Sequence, residues 1–169
     1  MQTRREMSRL GRPMCACSGS GVFVGYASLF GERDQSGDVV MPGAFANSLK
    51  KRGAPEVRML FQHDAAEPVG TWIDLQETPR GLHVTGRLDR NVQRARELFS
   101  LLESKGLDGL SIGFRTVRAR RDRATAARLI TEIDLWEISL VTFPMLPGAR
   151  VTGVKTASNR KGRVHGNRT

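Results

Sequence analysis

A chain of 169 residues with 39% apolar and 26% charged side chains is long enough for one domain with a real core. Its formal charge of +10 is concentrated at the ends, with +3 in residues 1–20, +5 in residues 155–169 and only +2 between them. No apolar run approaches the roughly 20 residues needed to cross a bilayer. Arg4, Arg5, Arg9 and Arg12 come with no apolar segment behind them, which argues against a secretory signal. Cys15 and Cys17 are too close in sequence for an unstrained mutual disulfide. The three histidines, His63, His83 and His165, are too scattered to complete a zinc site with them. The cysteines therefore read as reduced thiols of a cytosolic protein, with no cofactor and no metal.

Residues 1–20 read as a flexible basic leader, with Gly11, Pro13, Ser18, Gly19 and Ser20 opposing regular structure. A first strand is expected over about 22–29, followed by a polar turn from Gly31 to Gly37 and a short extended piece at Val39-Val40-Met41. Pro42-Gly43-Ala44 is expected to open a helix through about Lys51. Strands follow at about 57–62, 69–76 and 82–88, the last two joined by the hairpin-like Glu77-Thr78-Pro79-Arg80-Gly81. The clearest helix runs from about Val92 to Lys105, capped by Asp89 or Asn91 and stopped by Gly106. Two long β-like segments, near 109–118 and 128–142, flank an arginine-rich stretch read as a loop. Pro144 and Pro147 then end regular structure. The domain thus covers 21–150, and 151–169 is expected to be a disordered basic tail. Strands outnumber helices, which predicts a mixed β/α fold: a mostly antiparallel β-barrel surrounded by helices.

Two residues stand out against this background. His63 closes Val57-Arg58-Met59-Leu60-Phe61-Gln62-His63, and Ser111 is centred in Gly109-Leu110-Ser111-Ile112-Gly113-Phe114. Side chains alternate between the faces of a strand, so Ser111 shares its face with Gly109 and Gly113, where a substrate backbone can approach closely. Serine becomes a nucleophile when a histidine takes its proton and a third group holds the imidazole. Glu137, in Leu135-Trp136-Glu137-Ile138-Ser139-Leu140-Val141, is the favoured third group. Strict alternation puts it on the face of Ile133, Leu135 and Val141, and an acid on an apolar face needs a partner. Asp134 falls on the opposite face with Trp136, Ile138 and Leu140 and stays open as an alternative.

Each residue also has an ordinary explanation: a partly buried histidine at a strand end, a tight packing site for the serine, and an arginine partner for Glu137. Gly109-Leu110-Ser111-Ile112-Gly113 spells G-x-S-x-G, but the elbow of α/β-hydrolases needs a following helix and a later histidine. A strand-like segment follows instead, and the later histidine is His165 in the tail. A small esterase reading would give His165 a role. The other class of reading is a basic β-barrel module that binds nucleic acid or an assembly partner through residues 118–128. That stretch carries arginines without interleaved aromatic residues.

Five blocks in order resemble the prohead (capsid-maturation) serine proteases of tailed bacteriophages. They are Gly25-Tyr26-Ala27-Ser28-Leu29-Phe30, Gly37-Asp38-Val39-Val40-Met41-Pro42-Gly43-Ala44-Phe45, Leu60-Phe61-Gln62-His63-Asp64, Gly109-Leu110-Ser111-Ile112-Gly113-Phe114 and Glu137-Ile138-Ser139-Leu140-Val141-Thr142-Phe143-Pro144. The resemblance implies a herpesvirus-protease-like barrel and a serine endopeptidase with Ser111 and His63 as nucleophile and base. The family's acid falls on Glu137, and His83 is a further candidate because herpesvirus enzymes use a second histidine. It implies action inside the prohead in the bacterial cytoplasm, on the scaffold segment of the major capsid protein and on the protease itself. The portal is a further expected partner, a homodimer the expected assembly, and a phage, a prophage or a gene transfer agent the source. Neither nucleic acid nor a membrane is required. Met145-Leu146-Pro147 departs from the family's usual Ala-Asn-Pro-like continuation.

Overall fold

A computed structural model describes residues 19–156. Most of the basic leader, most of the basic tail, Cys15, Cys17 and His165 lie outside the described residues. Among those described, one eight-stranded sheet carries the fold, in the order β2-β7-β3-β4-β5-β1-β8 with β6 also paired to β7. The strands are β1 (Gly19–Leu29), β2 (Asp38–Val40), β3 (Arg58–Phe61), β4 (Asp64–Glu77), β5 (Gly81–Leu88), β6 (Gly109–Arg121), β7 (Arg128–Val141) and β8 (Val151–Thr156). The helices are α1 (Ala46–Arg52) and α2 (Gln93–Glu103). The sheet curls into a half-barrel, the mixed β/α architecture expected from the strand-rich pattern.

Most pairings are antiparallel, but β7 runs parallel to both β2 and β3. The segment at residues 149–151 stitches the two sides of the curl together. Tyr26 N–H donates to the Arg150 carbonyl, Leu110 N–H to the Ala149 carbonyl and Val151 N–H to the Asp108 carbonyl. In the core, Phe23, Phe45, Met59, Leu98, Phe99, Ile133, Leu135 and Ile138 are nearly inaccessible. Phe23 meets Trp72 edge-on at 5.7 Å between ring centroids, a favoured aromatic geometry. The apolar stripe of α2, Ala95, Leu98, Phe99 and Leu102, is buried in this core.

Several boundaries differ from the sequence expectation for identifiable reasons. Gly43 has a φ of 87°, which breaks the run after Pro42, so α1 begins only at Ala46. Neither Asp89 nor Asn91 caps α2; its N-cap is Val92, and the Asp89 carboxylate closes a local turn by accepting the Asn91 N–H. The left-handed residue after α2 is Lys105, at φ 59°, with Gly106 N–H bonded back to the Leu101 carbonyl. Residues 151–156 are not part of a disordered tail: they form β8 against β1. The arginine-rich stretch is not a loop, since β6 continues to Arg121. Asp122 closes a tight turn by accepting from the Ala124 N–H and the Thr125 hydroxyl.

Candidate active site

The parallel pairing of β3 with β7 sets the site. It places Leu60 beside Ser139 and Phe61 beside Leu140. The chain then turns at once, because Phe61 pairs with Asp64 across the β3–β4 connection. The two residues at the tip, Gln62 and His63, both adopt left-handed backbone, with φ of 53° and 59°. Two-residue hairpin turns favour this conformation at both positions, but side chains without glycine's freedom adopt it at a cost of about 1–2 kcal/mol each. The turn is held in compensation. Gln62 N–H donates to the Leu140 carbonyl at 2.9 Å, the Gln62 amide donates to Thr142 Oγ1 at 2.7 Å, and His63 N–H donates to Ser139 Oγ at 3.1 Å.

On the other side of β7 lies β6. Ser111 stands directly opposite Ser139, and Gly113 directly opposite Glu137. Residues opposed across a ladder point to the same face, so Ser111, Gly113, Glu137 and Ser139 form one patch. His63 reaches it from the end of β3. Its Nδ1 lies 2.6 Å from Glu137 Oε1, while Glu137 Oε2 accepts the Ser139 hydroxyl at 2.7 Å. The Glu137 side chain is largely covered, at 13% exposed, whereas the His63 side chain is 44% exposed and open to an incoming group. Ser111 is buried on its strand, and its hydroxyl makes no hydrogen bond among the described residues.

Strict alternation misplaces Glu137. The register slips by one residue between Gly113 and Phe114, so that Glu137 faces Gly113 while Leu135 faces Phe114. The extra residue is Trp136, half exposed, and it makes a β-bulge of the kind found beside active sites. Leu135 and Ile138 can then both enter the core, and Glu137 is released to the face of Ser111. Glu137 thus meets His63 for a different reason from the one the sequence suggests.

The alternatives are engaged elsewhere. Asp134 accepts from the Arg52 guanidinium at 2.9 Å and from the Trp136 indole at 3.0 Å. The Trp136 bond first, and then Arg52, hold its carboxyl below the usual value. His83 lies on β5, edge-on to Tyr26 at 5.3 Å between centroids. Ser139, buried at 0% exposure and bonded to both His63 and Glu137, is the site residue that sequence reasoning missed. Its one visible signal is the Glu137-x-Ser139 spacing, which puts both on one face.

Next to Ser111, along the outer edge of β6, a depression is lined by Leu29, Glu32, Asp38, Val40, Ile112 and Leu146, among others. β6 pairs with β7 and otherwise makes a single bridge, Gly109 to Arg150, among the described residues. No group of three or more His, Cys, Asp or Glu side chains is placed to hold a metal ion among the described residues.

Comparison with known proteins identifies the family. Residues 13–163 match the family model described as caudovirus prohead serine protease. The chain is 36% identical over 138 residues to the prohead protease of Enterobacteria phage HK97, covering 80% of this chain and 61% of that protein. It is 34% identical over 114 residues to the prohead protease of Escherichia phage T5, covering 66% of this chain and 53% of that one. The chain thus spans little more than half the length of these relatives. Among solved structures, the capsid assembly protease of bacteriophage T4 matches with a TM-score of 0.57 at 10% identity, over 71% of this chain and 80% of that one. KSHV protease in complex with a hexapeptide phosphonate inhibitor matches with a TM-score of 0.51 at 14% identity, over 78% of this chain and 64% of that one. At such identities the two structures speak for the fold alone, whereas the family match spans nearly the whole chain: it belongs to the caudovirus prohead serine protease family.

Proposed function

We propose that this chain is a serine endopeptidase in which Ser111 is the nucleophile, His63 the general base and Glu137 the acid that orients the imidazole. The observation that carries the reading is the 2.6 Å contact between His63 Nδ1 and Glu137 Oε1, on the sheet face that Ser111 shares. A carboxylate at Nδ1 fixes the tautomer with its proton there, leaving Nε2 to take the serine proton and stabilising the imidazolium that results. Ser111 Oγ attacks a peptide carbonyl, His63 accepts the hydroxyl proton and then donates it to the leaving amine, and water repeats the sequence on the acyl-enzyme. An extended peptide can lie along the outer edge of β6 by strand addition, which brings its carbonyl to Ser111.

The substrate proposed is the scaffold segment of the major capsid protein, together with the protease's own chain, cut inside a prohead in the bacterial cytoplasm. The portal and a second copy of the chain remain proposed partners. The family match and the prohead protease relatives support this setting. In the test, Ser111→Ala is co-expressed with the capsid precursor: processing stops while the circular dichroism spectrum is unchanged. Processing at the wild-type rate would exclude Ser111 as nucleophile.

The nucleic-acid module is less well supported. Its proposed contact stretch is strand and tight turn, Arg118 lies 3.7 Å from Glu132, and Arg128 lies 3.0 Å from Asp38.

A further inference from the structure

We infer that Ser139 is a positioning residue of this site: its hydroxyl ties the Glu137 carboxylate to the His63 backbone in the one placement that lets the carboxylate orient the imidazole. The inference rests on the reading of Ser111, His63 and Glu137 given above and adds a fourth side chain to it. The Ser139 hydroxyl bonds to the Glu137 carboxylate and the His63 N–H and not to the Ser111 hydroxyl or the imidazole, so its effect passes through those two neighbours.

The argument begins with what a glutamate side chain needs. Several rotatable bonds separate its carboxylate from the backbone, so contact with the imidazole at one oxygen leaves the group free to pivot. Here the second oxygen is also held, because the Ser139 hydroxyl donates to Oε2 at 2.7 Å while Oε1 meets His63 Nδ1 at 2.6 Å. Hydrogen bonds to an ionised acceptor are short and stronger than neutral ones. With its single proton committed to Glu137, the same oxygen accepts the His63 N–H at 3.1 Å. That N–H belongs to a left-handed turn residue, whose backbone needs an external partner to hold it in place.

The geometry is therefore a closed ring of three contacts: backbone of His63 to Ser139, Ser139 to Glu137, and Glu137 to the ring of His63. It fixes the imidazole from both ends, through its main chain and through Nδ1. Ser139 sits at 0% exposure, so no water substitutes freely for its hydroxyl. Ser48, another buried serine, bonds instead to the Leu135 N–H beneath α1, away from this ring. A purely structural role for Ser139 would satisfy a buried N–H and act independently of Glu137. A positioning role acts only while the carboxylate is present.

The test uses the full chain and a fluorophosphonate probe, which reports the nucleophilicity of Ser111 without knowledge of the cleavage sequence. Ser139→Ala is expected to slow labelling about 10- to 100-fold, the effect of misplacing a catalytic group by about an ångström. In a Glu137→Gln background the same substitution is expected to add less than about twofold, because coupled residues are not additive. Ser139→Cys, which keeps the volume and weakens the donor, carries the same expectation if the alanine variant does not fold. Labelling at the wild-type rate, or an equal slowing in both backgrounds, overturns the proposal. Failure of the underlying reading looks different: a wild-type chain not labelled at Ser111 removes the site assignment and this inference together.

Discussion

Gly113→Ala is the sharpest test of the proposed acid, because it adds one carbon where the Glu137 carboxylate lies. A Cβ at position 113 would overlap Glu137 Oε1 and stand 2.7 Å from its Cδ and 2.8 Å from its Cγ. Carbon atoms settle at about 3.5–4.0 Å, so the carboxylate must retreat by about 1 Å. The 2.6 Å contact with His63 then opens by up to about 1 Å, toward the limit of hydrogen-bond reach and beyond it. Position 113 does not have left-handed backbone, so alanine brings no φ strain and the contact alone is tested. A displacement of this size costs about 100-fold, and full loss of an orienting acid about 10⁴-fold. Activity should therefore fall between those bounds, about 3–5 kcal/mol of barrier. Fluorophosphonate labelling and cleavage of a co-expressed capsid precursor both read it. Adding Glu137→Asp, one methylene shorter, should recover part of the loss. Wild-type labelling by Gly113→Ala would refute the assignment of Glu137 as the group that orients His63.

Gly86→Ala is expected to destabilise the fold without touching the chemistry. Its Cβ would stand 2.6 Å from Met59 Cε, 2.7 Å from Phe23 Cζ and 2.8 Å from a Trp72 ring carbon, and overpacking of this kind costs about 1–3 kcal/mol. Urea unfolding should show that loss, with labelling of the folded fraction unchanged. Asp134→Asn is expected to weaken the fold by about 1–2 kcal/mol at neutral pH while leaving labelling intact, because Asp134 serves Arg52 and Trp136. Its carboxyl is held below the usual value, so the native state favours the ionised form. The stabilisation is present above the ordinary carboxylate range near pH 4 and is lost as pH falls through the lowered value. Wild type and variant should therefore converge in acid, and a constant difference down to pH 2 would count against this account.

The parts of the site that depend on local sequence were legible. Ser111 between glycines, His63 at a strand end and an acid in the last long strand follow from residue types and a two-residue period. What depended on partners across the sheet was not. The Trp136 bulge shifts the face of Glu137 by one position, and no local pattern distinguishes it from a regular strand residue. Ser139 looks like an ordinary strand serine until β3 is known to run parallel beside β7. The same limit applies to β8, where the nearby prolines and the basic residues that follow suggested a tail. Its pairing with β1 is a long-range event. Lys105, and not Gly106, takes the left-handed conformation after α2 because the chain there is positioned by its bonds back to Leu101 and Leu102.

On the proposed assignment, the insertion of β7 between β3 and β6 ties alignment of His63 with Ser111 to completion of the sheet. His63, in the turn that closes β3, and Ser111, on β6, lie on segments that do not pair with each other among the described residues, and the strand between them is made after both. A ribosome-bound chain lacking residues 128–141 already carries the hydroxyl and the imidazole yet has no means of aligning them. Synthesis order alone thus keeps the proposed nucleophile and base unaligned until most of the sheet has emerged.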